Sequence, residues 1–252
     1  RSIRPVREVE TAPLLEAYGR VLALDVLARI DSPPNDNSAM DGFALHQADL
    51  HLDQPTRLPV VGRSLAGRPH LGEVPRGAAV RITTGALIPE GPDVVVMQEH
   101  CTIEPDESWI EIKPKVAACL SPGVNIRRRG EDVTAGAPLL AQGQRLRPQD
   151  IALAAGQGLA ALEVMRQPRV AVASTGDELS EPGGALSSSS IYESNRYTLI
   201  GLLRRLGCAV TDLGILRDER AAVLTALGEA AGHHDVLLTS GGVSVGTADL
   251  IK

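Results

Sequence analysis

Aromatic residues are scarce: one Phe, one Trp and three Tyr in 252 positions. Because hydrophobic residues still make up 43% of the chain, the interior must be built of Val, Leu, Ile and Ala rather than of rings. The same scarcity argues against a surface that binds nucleic acid by stacking bases on aromatic faces. Basic residues are also in deficit, 25 Lys and Arg against 31 Asp and Glu, for a net charge of −6. Nucleic acid and anionic membranes are met by the opposite balance, so neither is an expected partner. An anionic ligand has to be held by local donors or by metal. Cysteine is limited to Cys101, Cys119 and Cys208, an odd number without C-x-x-C spacing, which points to neither a disulfide framework nor a zinc site. A reducing, cytoplasmic location is expected. No apolar run approaches the roughly 18 residues of a membrane helix, and no basic-then-apolar leader opens the sequence. Arg1 in place of Met reads as the start of a trimmed chain.

What is present divides into regions of different period. A chain of this length predicts two or more domains. Thr11 is placed to cap a short helix through Tyr18, and Val21 to Ala28 reads as a strand leading into the loop Ser32-Pro-Pro-Asn-Asp-Asn-Ser. From Leu58 to about Leu140, short apolar runs such as Val94-Val-Val-Met and Trp109-Ile-Glu-Ile alternate with Gly and Pro turns, the pattern of a small barrel or sandwich. Pro148 opens an Ala- and Leu-rich helix. The expected division is therefore a connecting subdomain from residues 1–31 and 136–168, a β-rich domain at 32–135, and an α/β domain at 169–252.

The α/β domain reads as strand, helix, strand, helix, strand. Arg169-Val-Ala-Val-Ala is a buried-strand run; Ser194 is placed to cap a helix whose Leu199, Ile200, Leu202, Leu203 and Leu206 share a face before Gly207 ends it. Cys208 to Leu213, Glu219 to Ala231 and Asp235 to Thr239 supply a second strand, a second helix and a third strand, with Gly184 to Ser190 as a flexible loop. Right-handed crossovers lay three such strands parallel. Their loops then share one edge: Ser174-Thr-Gly-Asp-Glu, Gly214-Ile-Leu-Arg-Asp and Ser240-Gly-Gly-Val-Ser-Val-Gly-Thr-Ala-Asp. Ser174, Thr175, Gly176, Ser240, Gly241, Gly242, Ser244 and Gly246 are small enough for backbone N–H groups to approach phosphate oxygens. Glu178, Asp218 and Asp249 would repel a phosphate unless a hard cation bridged them to it, which points to Mg²⁺. The plainer reading is that such carboxylates cap helices.

Three further loops carry two readings each. Asp36-Asn-Ser-Ala-Met-Asp-Gly-Phe-Ala has more hydrogen-bonding groups than a turn needs, against a structural Asx-turn network. Arg81-Ile-Thr-Thr-Gly-Ala offers hydroxyls beside Gly85, against a helix cap, which is the favoured reading. Arg127-Arg-Arg-Gly-Glu-Asp is either a solvated loop or a source of positive charge for an anion.

These segments, in this order with Pro89-Glu-Gly-Pro-Asp-Val-Val-Val-Met-Gln-Glu and Tyr192-Glu-Ser-Asn-Arg, closely resemble the molybdopterin molybdenumtransferase family, which contains bacterial MoeA and the E domain of gephyrin. The likeness spans nearly the whole chain. It implies a multidomain α/β fold: a MogA-like, parallel-sheet pterin-binding domain, a β-rich barrel or sandwich, and a connecting subdomain. It also implies an elongated homodimer in which adenylyl-molybdopterin and molybdate react with Mg²⁺ to give molybdenum cofactor and AMP. Family positions matched here are Asp41 and Thr84, implied to contact ligand, with Glu178, Asp218 and Asp249, implied to position metal and phosphates. The molybdopterin adenylyltransferase is an implied delivery partner. Family members continue past the Ser-Gly-Gly loop to a fourth, β-rich domain, so a chain ending at Lys252 is expected to be incomplete and of doubtful activity. Two alternatives stand beside this one: a non-enzymatic scaffold of the gephyrin type, and the adenylyltransferase itself, which lacks the N-terminal β-rich region.

Overall fold

A computed structural model describes residues 5–241. The chain forms two compact units, one from Val26–Leu139 and the other from Arg1–Asp25 with Leu140–Lys252. The first unit is a mixed six-stranded sheet in the order Val94–Met97, Gly42–Leu45, Ala79–Ile82, Thr56–Ser64, Trp109–Ile112, Cys101–Ile103. The long strand Thr56–Ser64 pairs antiparallel with Trp109–Ile112 through its first half and parallel with Ala79–Ile82 through its second, with a register shift between Val60 and Gly62. That handover at a bulge curls the sheet.

Alternation decides which side chains meet inside it. Phe43, Leu45, Val94, Val96, Ile110 and Ile112 pack into one cluster, while Ala44, Val95, Ile82 and Ala86 form another. Successive residues of a strand point to opposite faces, so Gly42–Leu45 and Val94–Met97 are buried on both sides. Each fully buried Val, Leu or Ile contributes about 1.5–3 kcal/mol, which lets an interior nearly without rings suffice.

In the second unit, Val9–Pro13 pairs antiparallel with Ala161–Met165. Thr11 is therefore a strand residue and not a helix cap: its hydroxyl donates to Glu163 Oε1 at 2.6 Å, and the short helix Leu14–Ala17 begins after Pro13. The expected strand over Val21 to Ala28 shrinks to isolated bridges at Val21 and Leu22 and the two-residue strand Val26–Leu27. Leu22 and Ala23 are both buried, and two consecutive buried side chains break the period a half-buried strand needs. The helix Pro148–Gly156 does start on its proline. Asp150 accepts from the Arg147 backbone N–H at 2.8 Å and from its guanidinium at 3.0 Å twice.

The α/β part is a parallel sheet in the order Ala209–Leu216, Arg169–Thr175, Val236–Ser240. Val170 and Val172 pack against Ile200, with Leu199 and Leu203 beside them. Two details differ from expectation. Leu202 and Leu206 are exposed, because the face covering the sheet is narrower than the apolar stripe in the sequence. Ser194 occupies the N-cap position without a side-chain cap bond; instead Glu193 Oε1 accepts the Arg196 N–H at 2.7 Å. Arg196, 2% exposed, pairs with Glu181 and Asp212 and so ties the 176–193 loop to its neighbouring strand.

The Arg147 guanidinium and backbone hold Asp150 down to about 2 from the usual 3.8. The native state thus binds fewer protons here than the unfolded chain, and this stabilisation is complete above about pH 4 and lost as pH falls through about 2. Urea-unfolding midpoints should fall across that window in the parent chain. In Asp150→Asn the same window should be flatter, and parallel curves would remove Asp150 as the cause.

Candidate functional site

The central strand runs from Arg169 to Thr175, and both neighbours are parallel to it, so three carboxyl ends lie at one edge. At that edge the Ser174 and Thr175 hydroxyls are buried and have no hydrogen-bond partner among the described residues. A buried hydroxyl without a partner costs about 1–3 kcal/mol, a penalty that a ligand carrying donors or acceptors would relieve. Gly176 follows at φ +145°, and a Cβ there would lie 2.5 Å from a Glu178 carboxylate oxygen. The Glu178 carboxylate is thus folded back over the turn, in space that only glycine leaves open. Gly241 brings the third strand's end against the first: a Cβ on it would meet the Thr175 carbonyl at 2.9 Å.

Asp218 reaches the same edge from the second strand. Its backbone N–H donates to Asp177 Oδ1 at 3.2 Å, and Arg217 Nη1 donates to the Asp177 carbonyl at 2.9 Å. Ser174, Thr175, Gly176, Glu178, Asp218, Ser240 and Gly241 are thereby placed at one end of one sheet. Asp249, Gly242, Ser244 and Gly246 lie outside the described residues. Among the described residues no group of three or more His, Cys, Asp or Glu side chains is gathered to hold a metal. Sequence reading passed over Asp177 and Arg217, although both stand inside loops it had singled out. What was missing is the pairing of side chain with backbone, which only the fold supplies.

In the curled-sheet unit, Asp41 and Thr84 meet directly. Asp41 Oδ1 accepts from the Thr84 backbone N–H at 2.7 Å and from its hydroxyl at 2.9 Å. The Thr84 N–H first, its hydroxyl second, and the nearby Arg81 charge hold the Asp41 carboxyl below its ordinary value. The helix-cap reading of Arg81-Ile-Thr-Thr-Gly-Ala is not met, since strand Ala79–Ile82 runs into a turn there. Arg81 lies over the Phe43 ring at 4.9 Å and donates to Gln98 Oε1 at 2.5 Å, and its Nη1 is buried without a partner among the described residues. Asn37 Oδ1 is likewise buried and unpartnered, and Asn37 borders a cavity of about 240 Å³ with Pro34, Leu65, Gly85 and Leu87. The basic triplet resolves as structural: Arg127 pairs with Asp132, Arg128 with Asp36 and Arg129 with Asp31.

These features define an α/β protein with small hydroxylated residues and carboxylates at the carboxyl ends of a parallel sheet and an acid–hydroxyl pair in a separate β unit. Residues 1–158 match the model of the MoeA N-terminal region (domain I and II), and residues 171–252 match a probable molybdopterin binding domain. The chain belongs to the molybdopterin molybdenumtransferase (MoeA) family. It is 46% identical over 247 residues to a molybdopterin molybdenumtransferase of Haemophilus influenzae, covering 97% of this chain and 59% of that one. It is 38% identical over 255 residues to molybdopterin molybdenumtransferase 2 of Mycobacterium tuberculosis, covering 100% and 60%. A crystal structure of the molybdopterin biosynthesis MoeA protein from Pyrococcus horikoshii OT3 superposes with a TM-score of 0.82 at 33% identity, covering 95% of this chain and 63% of that one. The chain thus spans about 60% of the length of the curated relatives it matches. Among the described residues, no helix is long and apolar enough to cross a membrane.

Thr84→Val removes the second of the two donors that hold the Asp41 carboxyl down and leaves the first. The Asp41 pKa should rise toward 3.8 without reaching it, as read by carboxyl-detected NMR titration. An unchanged value would mean the hydroxyl does not act on Asp41.

Proposed function

We propose that this chain carries the substrate-handling part of a molybdopterin molybdenumtransferase, which inserts molybdate into adenylyl-molybdopterin with release of AMP. The observation that carries the reading is the pair of buried hydroxyls on Ser174 and Thr175, without a hydrogen-bond partner among the described residues, at the carboxyl end of the central strand. Ligands of open α/β sheets bind beyond that end. The names of the curated relatives and the match to a molybdopterin-binding domain supply the chemistry of the ligand.

The residues at this edge fit Mg²⁺. The loops Ser174–Glu178 and Gly214–Asp218 contain no His or Cys, and they offer the oxygen donors a hard cation prefers. Glu178 and Asp218 would hold the ion together with Asp249. When bound, Mg²⁺ supplies charge neutralisation to the phosphate oxygens of the adenylate. The Ser174 and Thr175 hydroxyls and the backbone around Gly176 then orient the phosphate, while Asp41 and Thr84 contact ligand from the curled-sheet unit. Asp41, ionised across the physiological range, has a fixed orientation from its two Thr84 bonds. The proposal includes the three-part division of residues 1–31 with 136–168, 32–135 and 169–252. It further includes a homodimer, delivery of the pterin by the adenylyltransferase, and a cytoplasmic location.

Replacing Ser174 and Thr175 by Ala and Val in the whole protein should lower molybdenum insertion at least about tenfold, with thermal stability held or raised, because two unmet polar groups are removed. Full activity in that variant would sink the assignment of the site.

The dimeric form of the proposal predicts complementation. Asp41→Ala and Glu178→Ala homodimers should each be inactive, whereas a doubly tagged heterodimer of the two, in which one cleft carries both lesions and the other none, should recover up to about half the parent insertion rate. A verified heterodimer without activity would place both residues in one subunit's site.

A further inference from the structure

At the opposite end of the parallel sheet lies a cavity of about 650 Å³ that the proposed function does not use. Its wall includes Tyr18, Arg145, Arg147, Gln167, Arg204 and Arg205, and no Asp or Glu. Gln167 precedes the central strand and Arg204 and Arg205 close the helix Asn195–Leu206, so the chain from Gln167 to Thr175, of which Arg169–Thr175 alone spans about 20 Å at about 3.3 Å per step, separates this cavity from the hydroxyl-bearing end.

The four guanidiniums differ in what they are doing. Arg147 is neutralised by Asp150. Arg145 is braced by two carbonyls, donating through Nε to Gly19 at 3.0 Å and through Nη2 to Arg205 at 3.4 Å, and it has no carboxylate partner among the described residues. Arg204 and Arg205 form no ion pair among the described residues. Basic residues in a helix's last turn complement its dipole, and that accounts for the presence of positive charge there. It does not account for a concave wall that gathers three uncompensated guanidiniums in a chain of net charge −6, where the other arginines named above are mostly paired. Brought together, planar guanidinium donors, one braced at Arg145 and two exposed at Arg204 and Arg205, match phosphate oxygens, and the volume is that of a small-molecule site.

We propose that this cavity binds a small soluble triphosphate, its phosphate chain held by Arg145, Arg204 and Arg205. The Gln167 amide is partly engaged with the Gly207 carbonyl at 3.0 Å, which fixes the floor rather than leaving it to the ligand. The Tyr18 ring, 60% exposed at the rim, is available to a base or to water.

The test is calorimetric titration of the whole protein with inorganic tripolyphosphate and, in a second arm, with ATP. Magnesium is omitted so that Glu178 and Asp218 repel these anions at the other sheet end. Arg204→Gln with Arg205→Gln is the informative variant, since both side chains are exposed and neither braces the backbone as Arg145 does. Binding should weaken about tenfold or more in that variant, recover largely in Arg204→Lys with Arg205→Lys, and weaken with added salt in the parent. Tighter binding of ATP than of tripolyphosphate identifies a nucleotide as the occupant, and equal binding identifies the phosphate chain alone. The absence of binding at low ionic strength, or affinity unchanged in the Gln variant, overturns the proposal.

Discussion

The direction of one strand governs the arrangement of the α/β unit. Arg169–Thr175 has a parallel neighbour on each edge, and Val170 and Val172 pack against the helix Asn195–Leu206. With both hydrogen-bonding edges satisfied and its apolar face covered, the strand has no alternative register that keeps Val170 and Val172 inside. The loops that follow the three strands are then forced to one edge, and the segments that precede them to the other. Ser174, Thr175, Glu178 and Asp218 gather at the first, and Arg145, Arg204 and Arg205 at the second. A single packing decision therefore separates two electrostatic environments along about 20 Å of chain.

The curled unit obeys a different constraint. Its strands Gly42–Leu45 and Val94–Met97 are buried on both faces, so side chains of either parity must be apolar and no solvent face remains in which to place polar function. Polar chemistry is displaced to the turns, where Asp41 precedes one buried strand and Thr84 follows another. Their hydrogen bonds fasten two turns separated by 43 positions in sequence.

Much of this was legible in the sequence, for reasons that differ by region. The Val-Ala-Val run, the Gly207 stop and the alternation of strand and helix after Arg169 are local signals, and the parallel sheet followed from them. Thr11 misled because a hydroxyl residue before an apolar pair reads as a helix cap until its partner Glu163, 152 positions away, is known. Val21 to Ala28 misled because apolar content was visible while its broken period of burial was not. The same limit applies to Arg128 and Arg129, whose partners are Asp36 and Asp31, carboxylates more than 90 positions upstream, whereas Arg127 pairs locally with Asp132. Pairing across such separations is a property of the fold, and a single sequence carries no local trace of it.

Those arginine–aspartate contacts form a seam of charge rather than a part of the core. Arg128 and Arg129 lie more than half exposed, at 56% and 67%, so each contact contributes little to global stability. What they do is hold the segment leading into Asp41 against the loop 127–132 by forces that fade beyond a Debye length, about 8 Å in physiological salt. The β-sheet interior is indifferent to ions, whereas this fastening is not. The segment leading into Asp41 is therefore held twice: by backbone hydrogen bonds, such as Ser38 N–H to the Ala86 carbonyl and Ala39 N–H to the Asn125 carbonyl, which salt leaves in place, and by this charged seam, which salt loosens.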